Sequence, residues 1–130
     1  MSLAVRSDFM VAVRTDIYLK CQLLQNIPTV LAREATHHYV DAVYLGKDSM
    51  LWHADSGDAA EILKWLAWLE DEVENPPAPV ERYRDHNNSP VFMDKIAFGA
   101  ILLHEDGSTQ EWGEPAEYAL GVSYIIKTPY

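Results

Sequence analysis

The chain has 130 residues, 48% of them apolar, with 10 lysines and arginines against 20 aspartates and glutamates and a formal charge of −10. That length gives one domain, and that apolar share supports a packed core and excludes a disordered chain. The acidic balance excludes a surface that grips nucleic acid directly through its phosphates, and no apolar run nears the ~18 residues of a membrane span.

The N-terminal stretch carries Arg6 and Asp8 before any apolar signal core forms, so no secretory leader is expected, and neither end shows a lipidation motif. From Leu3 to Leu23 apolar residues favour odd positions, a period of two that predicts a strand through about Phe9–Val13. Past Thr15 the spacing turns helical, with Thr15 as N-cap and Ile17, Cys21 and Leu24 on one face. Pro28 ends that helix. Cys21 is the single cysteine, which excludes an intramolecular disulfide and a cysteine-based zinc site and fits a reducing, cytoplasmic setting. Among Leu19, Leu23 and Leu24 it reads as a small core residue rather than a nucleophile.

A short helical or irregular connection is expected from Thr29 to Ala35. His38–Leu45 is rich in Tyr and Val, Gly46-Lys47-Asp48 offers turn chemistry, and Met50–His53 can return as a partner strand, so a hairpin is predicted there. The clearest element follows, a helix over about 57–74. Asp55-Ser56-Gly57-Asp58 supplies capping oxygens, and Ala59, Ile62, Leu66, Leu69 and Val73 recur on one face. Asn75-Pro76-Pro77 stops it. Four prolines and the polar run from Arg84 to Ser89 then read as a surface loop at about 75–90.

Ile96–Leu103 is apolar on both faces and belongs inside a sheet. Glu105-Asp106-Gly107-Ser108 marks a hairpin, with Thr109–Trp112 pairing back. Pro115–Leu120 predicts one helical turn closed by Gly121, and Val122–Ile126 a last strand. The expected architecture is a single α+β domain over 1–130, an antiparallel sheet with one principal amphipathic helix packed on it.

Five histidines, His37, His38, His53, His86 and His104, show no metal-ligand spacing, and no phosphate loop or nucleophile elbow is present. No metal and no cofactor is therefore expected. The charge is unevenly distributed: residues 1–54 hold five acids and five bases, whereas residues 55–117 hold fifteen acids and four bases. Glu70, Asp71, Glu72 and Glu74 crowd the last turn of the main helix, where the macrodipole disfavours negative charge by roughly 0.3–1 kcal/mol per residue. Trp65 falls at the edge of the buried face, and Trp68 farther round, among Glu61, Lys64 and Glu72.

These features select a partner-binding surface formed by Trp68, Glu70, Asp71, Glu72, Glu74, Glu81, Glu105, Asp106 and Glu111. The expected role is an acidic inhibitor that occludes a basic protein or nucleoprotein, with no direct contact to nucleic acid or membrane. In size and charge such a chain is similar in type to bacterial immunity proteins and phage-encoded inhibitors of host defence, although no motif carries the likeness. Two other classes stand beside it. One is a small enzyme using His53, Asp55 or His104 between helix and sheet; the other is a homodimeric module joined through Trp65 and Trp68. The alternative for the acids is a solvated face that keeps the protein soluble.

Overall fold

The computed structural model describes residues 5–34, 36–39, 41–53, 57–74, 81–92 and 97–130. Alternation along the first apolar stretch produces β1, Val5–Arg14, and helix α1, Thr15–Leu24, begins where it stops. A four-residue helix α2, Thr29–Ala32, follows Pro28, and a short strand β2, His37–Tyr39, precedes the long strand β3, Ala42–Trp52. Helix α3 spans Gly57–Glu74. Then come the strands β4, Glu81–Arg84, β5, Pro90–Phe92, β6, Phe98–His104, and β7, Thr109–Gly113. A 3-10 turn, Pro115–Tyr118, leads to the two-residue strands β8, Gly121–Val122, and β9, Ile126–Lys127.

Five strands form one antiparallel sheet in the order β2-β3-β1-β6-β7. β1 lies at its centre and is apolar on both sides because both sides are covered. Phe9, Val11 and Val13 face the main core with Val43, Leu45, Phe98, Ala100 and Leu102, beneath Ile62, Leu66 and Leu69 of α3 and Ile17 and Cys21 of α1. Ala12, Tyr44 and Ile101 face the other way, under Tyr118 and Leu120. The Tyr44 hydroxyl donates to the Tyr118 carbonyl at 2.5 Å and fastens the 3-10 turn to this second face. The result is the expected α+β domain with an antiparallel sheet and α3 packed on it.

Several local expectations give way. The hairpin at Gly46–Asp48 does not form; β3 runs straight through and pairs with β1. Gly46 is there for clearance, since a Cβ would meet the Phe9 carbonyl and Met10 Cε at 2.7 Å. The turn-forming residues next to it make a bulge instead: Lys47 and Met50 pair with Phe9 and Ser7, so Asp48 and Ser49 together oppose Asp8. Ser49 adopts a φ of 54°, and its N–H donates to the Asp8 carboxylate at 2.9 Å.

The expected loop at 75–90 is in part a hairpin, because β4 and β5 pair around a turn in which the Asp85 carboxylate accepts the Asn87 and Ser89 N–H groups. Residues 75–80, with the cluster of three prolines, lie outside the described residues, as do Asp55 and Ser56. Arg14, not Thr15, occupies the N-cap of α1, and Leu24 is exposed rather than on the buried face. Ala119, at φ 56°, closes the 3-10 turn in place of Gly121. The last expected strand divides into β8 and β9, which pair with each other.

Candidate functional site: the α1–α3 surface

The residues singled out for partner binding separate into groups. On α3, Glu61, Trp65, Trp68 and Glu72 recur at steps of four, three and four, which places them along one flank. That flank is a seam against α1 and α2. Glu61 accepts hydrogen bonds from the Thr29 backbone N–H at 2.8 Å and the Thr29 hydroxyl at 3.2 Å, satisfying a free amide at the start of α2. Trp65 is 3% exposed and packs in the main core. Lys20 of α1 extends over the Trp68 ring, with Nζ 5.7 Å from its centroid, and reaches both Glu72 oxygens at 2.9 and 3.0 Å.

Trp68 and Glu72 are therefore held by the chain itself. Trp68 is half-buried beneath Lys20 of α1 rather than on an open charged flank. Of the two tryptophans of the homodimer reading, Trp65 is buried and Trp68 keeps a partly exposed ring.

Glu70 and Asp71 stand exposed on the last turn of α3, and no hydrogen bond or ion pair holds them among the described residues. The backbone of Glu74 continues that turn, and Glu81 begins β4; their side chains lie outside the description. Glu105 is exposed in the β6–β7 turn. Asp106 beside it is structural: its carboxylate accepts the Ser108 N–H at 2.9 Å and the Ser108 hydroxyl at 2.6 Å. Those bonds hold it below the usual carboxylate range.

Glu111 does not join the α3 acids. It pairs with Ile101, whose side chain belongs to the second face, so Glu111 projects away from α3. On β7, an outer strand of the sheet, an exposed acid also discourages edge-to-edge pairing with another chain.

The catalytic alternative fares differently from its expectation. The His104 ring does have a partner, since its Nδ1 lies 2.7 Å from Ser7 Oγ across β1 and β6. Ser7 is 2% exposed and His104 half-buried, and both residues line a cleft at this end of the sheet. That cleft, of about 500 Å³, is lined also by Arg6, Asp8, Leu103, Asp106 and Tyr124, and no residue of α3 contributes to it. Asp55 lies outside the described residues. His37 and His38 point to opposite faces, stacking on Tyr130 at 4.2 Å and meeting Tyr18 edge-on at 6.2 Å. No group of three metal-ligating side chains occurs among the described residues.

A surface that sequence reasoning passed over lies on α1. Leu19, Leu23 and Leu24 are 54%, 86% and 55% exposed. Leu19 and Leu23 are one turn apart, directly opposite the buried Ile17, Tyr18 and Cys21. The signal was present in the sequence: a ten-residue helix with six apolar residues cannot hide all of them against one core.

Neither a protein-family model, a curated protein nor a solved structure matches this chain. Among the described residues no helix is long and apolar enough to cross a membrane.

Proposed function

We propose that the protein is an acidic binding module that occludes a basic protein or nucleoprotein, in the manner of an inhibitor. The observation that supports this reading is how the charges are used. Five of the ten basic groups are engaged internally: Arg14 on Asp16, Lys20 on Glu72, Lys47 on Glu34, Arg6 on the Ser49 carbonyl and Arg84 on the Asn88 carbonyl. Acids remain in excess, and Glu70, Asp71, Glu105 and Glu111 are exposed to solvent. Such a field draws in a cationic partner and speeds its encounter. Carboxylates clustered at the C-terminal end of α3 cost local stability, which fits a demand other than folding.

The test compares the wild-type chain with the double variant Glu70→Lys and Asp71→Lys, each immobilised and exposed to native lysate at low and raised salt. Wild type should retain a strongly basic protein that salt releases, the variant should lose it, and addition of wild type should suppress that protein's activity on nucleic acid. Equal capture by both chains, or capture indifferent to salt, would remove the charged surface from the account. Glu72 is left intact because reversing it breaks the bridge to Lys20.

A further inference from the structure

We infer that the groove between the α1–α2 corner and α3 binds a planar aromatic carboxylic acid, its ring against Trp68 and Ile27 and its carboxylate on Lys64. This goes beyond the basic-partner role and does not rest on it. The ligand carries the opposite charge, and neither Glu70 nor Asp71 lines the groove.

Four residues of α3, Glu61, Lys64, Trp65 and Trp68, recur at i, i+3, i+4 and i+7 and so form one wall. The chain leaving α1 forms the other, with Asn26 and Ile27. The space between them is about 360 Å³, the size of a small-molecule site. Both walls are fixed by the chain itself. The Asn26 N–H donates to the Cys21 carbonyl at 3.2 Å, and Glu61 accepts the Thr29 N–H at 2.8 Å. A site built in advance loses little freedom when it is filled.

The lining selects the ligand. Trp65 is buried, whereas Trp68 and Ile27 are only partly covered and leave apolar surface along the groove. A flat aromatic ring has the shape and area to cover them. The polar groups left over are mainly donors. Lys64 is exposed and makes no hydrogen bond or ion pair among the described residues, and the Asn26 and Trp68 side chains make no hydrogen bond there either. Glu61, the carboxylate on the wall, has both oxygens engaged by Thr29, and Glu72, one turn beyond Trp68, is paired with Lys20. Unpaired donors around an apolar slot call for an acceptor-rich anion. Asn26 Oδ1 is in addition buried without a hydrogen-bond partner, and such groups are few in folded proteins. An N–H on the ligand's ring supplies that missing donor.

The probe is indole-3-acetate, titrated into the isotope-labelled chain and followed by amide and indole N–H chemical shifts. Tryptamine is the control with the same ring and a cation, and acetate the acid without a ring. Wild type should bind indole-3-acetate about tenfold or more tightly than either control, with shifts at residues 25–29 and 61–68 and at the Trp68 indole N–H. Lys64→Glu should weaken binding about fivefold or more and leave circular dichroism and thermal melting unchanged, because that side chain is solvated and unpaired. Lys64→Arg, which keeps the charge, should bind like wild type.

Equal binding by Lys64→Glu and wild type would overturn the proposal, and so would tryptamine binding as tightly as the acid. Shifts centred outside the groove, or none at millimolar probe, would do the same. Glu70→Lys with Asp71→Lys should abolish capture of the basic partner without weakening the probe, which separates the two sites.

Discussion

Single side chains in this protein are set mainly by burial and clearance. Cys21 is fully buried, and burial pushes its thiol from 9.0 to about 11, while Tyr44 is pushed from 10.0 to about 12 for the same reason. Both groups are neutral in the fold and ionise earlier once unfolded. Their contribution to stability is therefore complete below pH 9.0 and is lost as pH rises through about 11 and then about 12. Denaturation followed against pH should show a plateau near neutrality and a fall above it, with Cys21→Ala flattening the first part of that fall. The native thiol should also resist a disulfide reagent until the chain opens. At Gly46 the constraint is steric, since a Cβ would lie 2.7 Å from the Phe9 carbonyl. Gly46→Ala should lower stability by about 1–3 kcal/mol in urea titration. A loss near zero would mean that β1 and β3 can part freely at this point.

Elements meet through a small number of specific contacts, and these explain what could and could not be read from the sequence. The helix expected over 57–74 forms as α3, Gly57–Glu74, because its apolar residues repeat on one face long enough to leave no rival pattern. The Asp106-Gly107 hairpin was legible for a local reason: Gly107 takes a φ of 90° and the Asp106 carboxylate closes the turn. Gly46-Lys47-Asp48 misled because glycine signals both turns and close strand approach, and only the pairing partner decides between them. The seam between α3 and the α1–α2 corner was hidden as well. Glu61, Trp68 and Glu72 read as a solvated or partner-facing flank until Thr29 and Lys20, distant in sequence, are brought against them. Glu61→Ala should cost about 1 kcal/mol by removing the cap on α2, and Lys20→Ala less, since an exposed ion pair contributes ~0.2–1 kcal/mol. Chemical denaturation ranks the two; the reverse order would locate the seam's strength in the Lys20 bridge.

For the whole molecule, the sequence carried the charge imbalance but not its arrangement. The acids do not form one patch. Glu70 and Asp71 sit with α3 on one side of the sheet, Glu111 projects from the other, and Glu105 occupies a turn. Register decides this, and register is set by pairing across the whole sheet. What remains exposed on the α3 side is Glu70 and Asp71, without a hydrogen bond or ion pair among the described residues. Association with a cationic partner should therefore slow as salt rises, and Glu70→Lys with Asp71→Lys should reduce that dependence. The most direct measurement is an amide chemical-shift titration of the intact chain with oligolysine, a stand-in for the basic partner. The account predicts perturbations concentrated around Glu70 and Asp71 in the last two turns of α3, with the second face around Tyr118 and the β8–β9 pair silent. Shifts centred instead on the cleft near Arg6 and Tyr124, or spread evenly over every acidic residue, would contradict it.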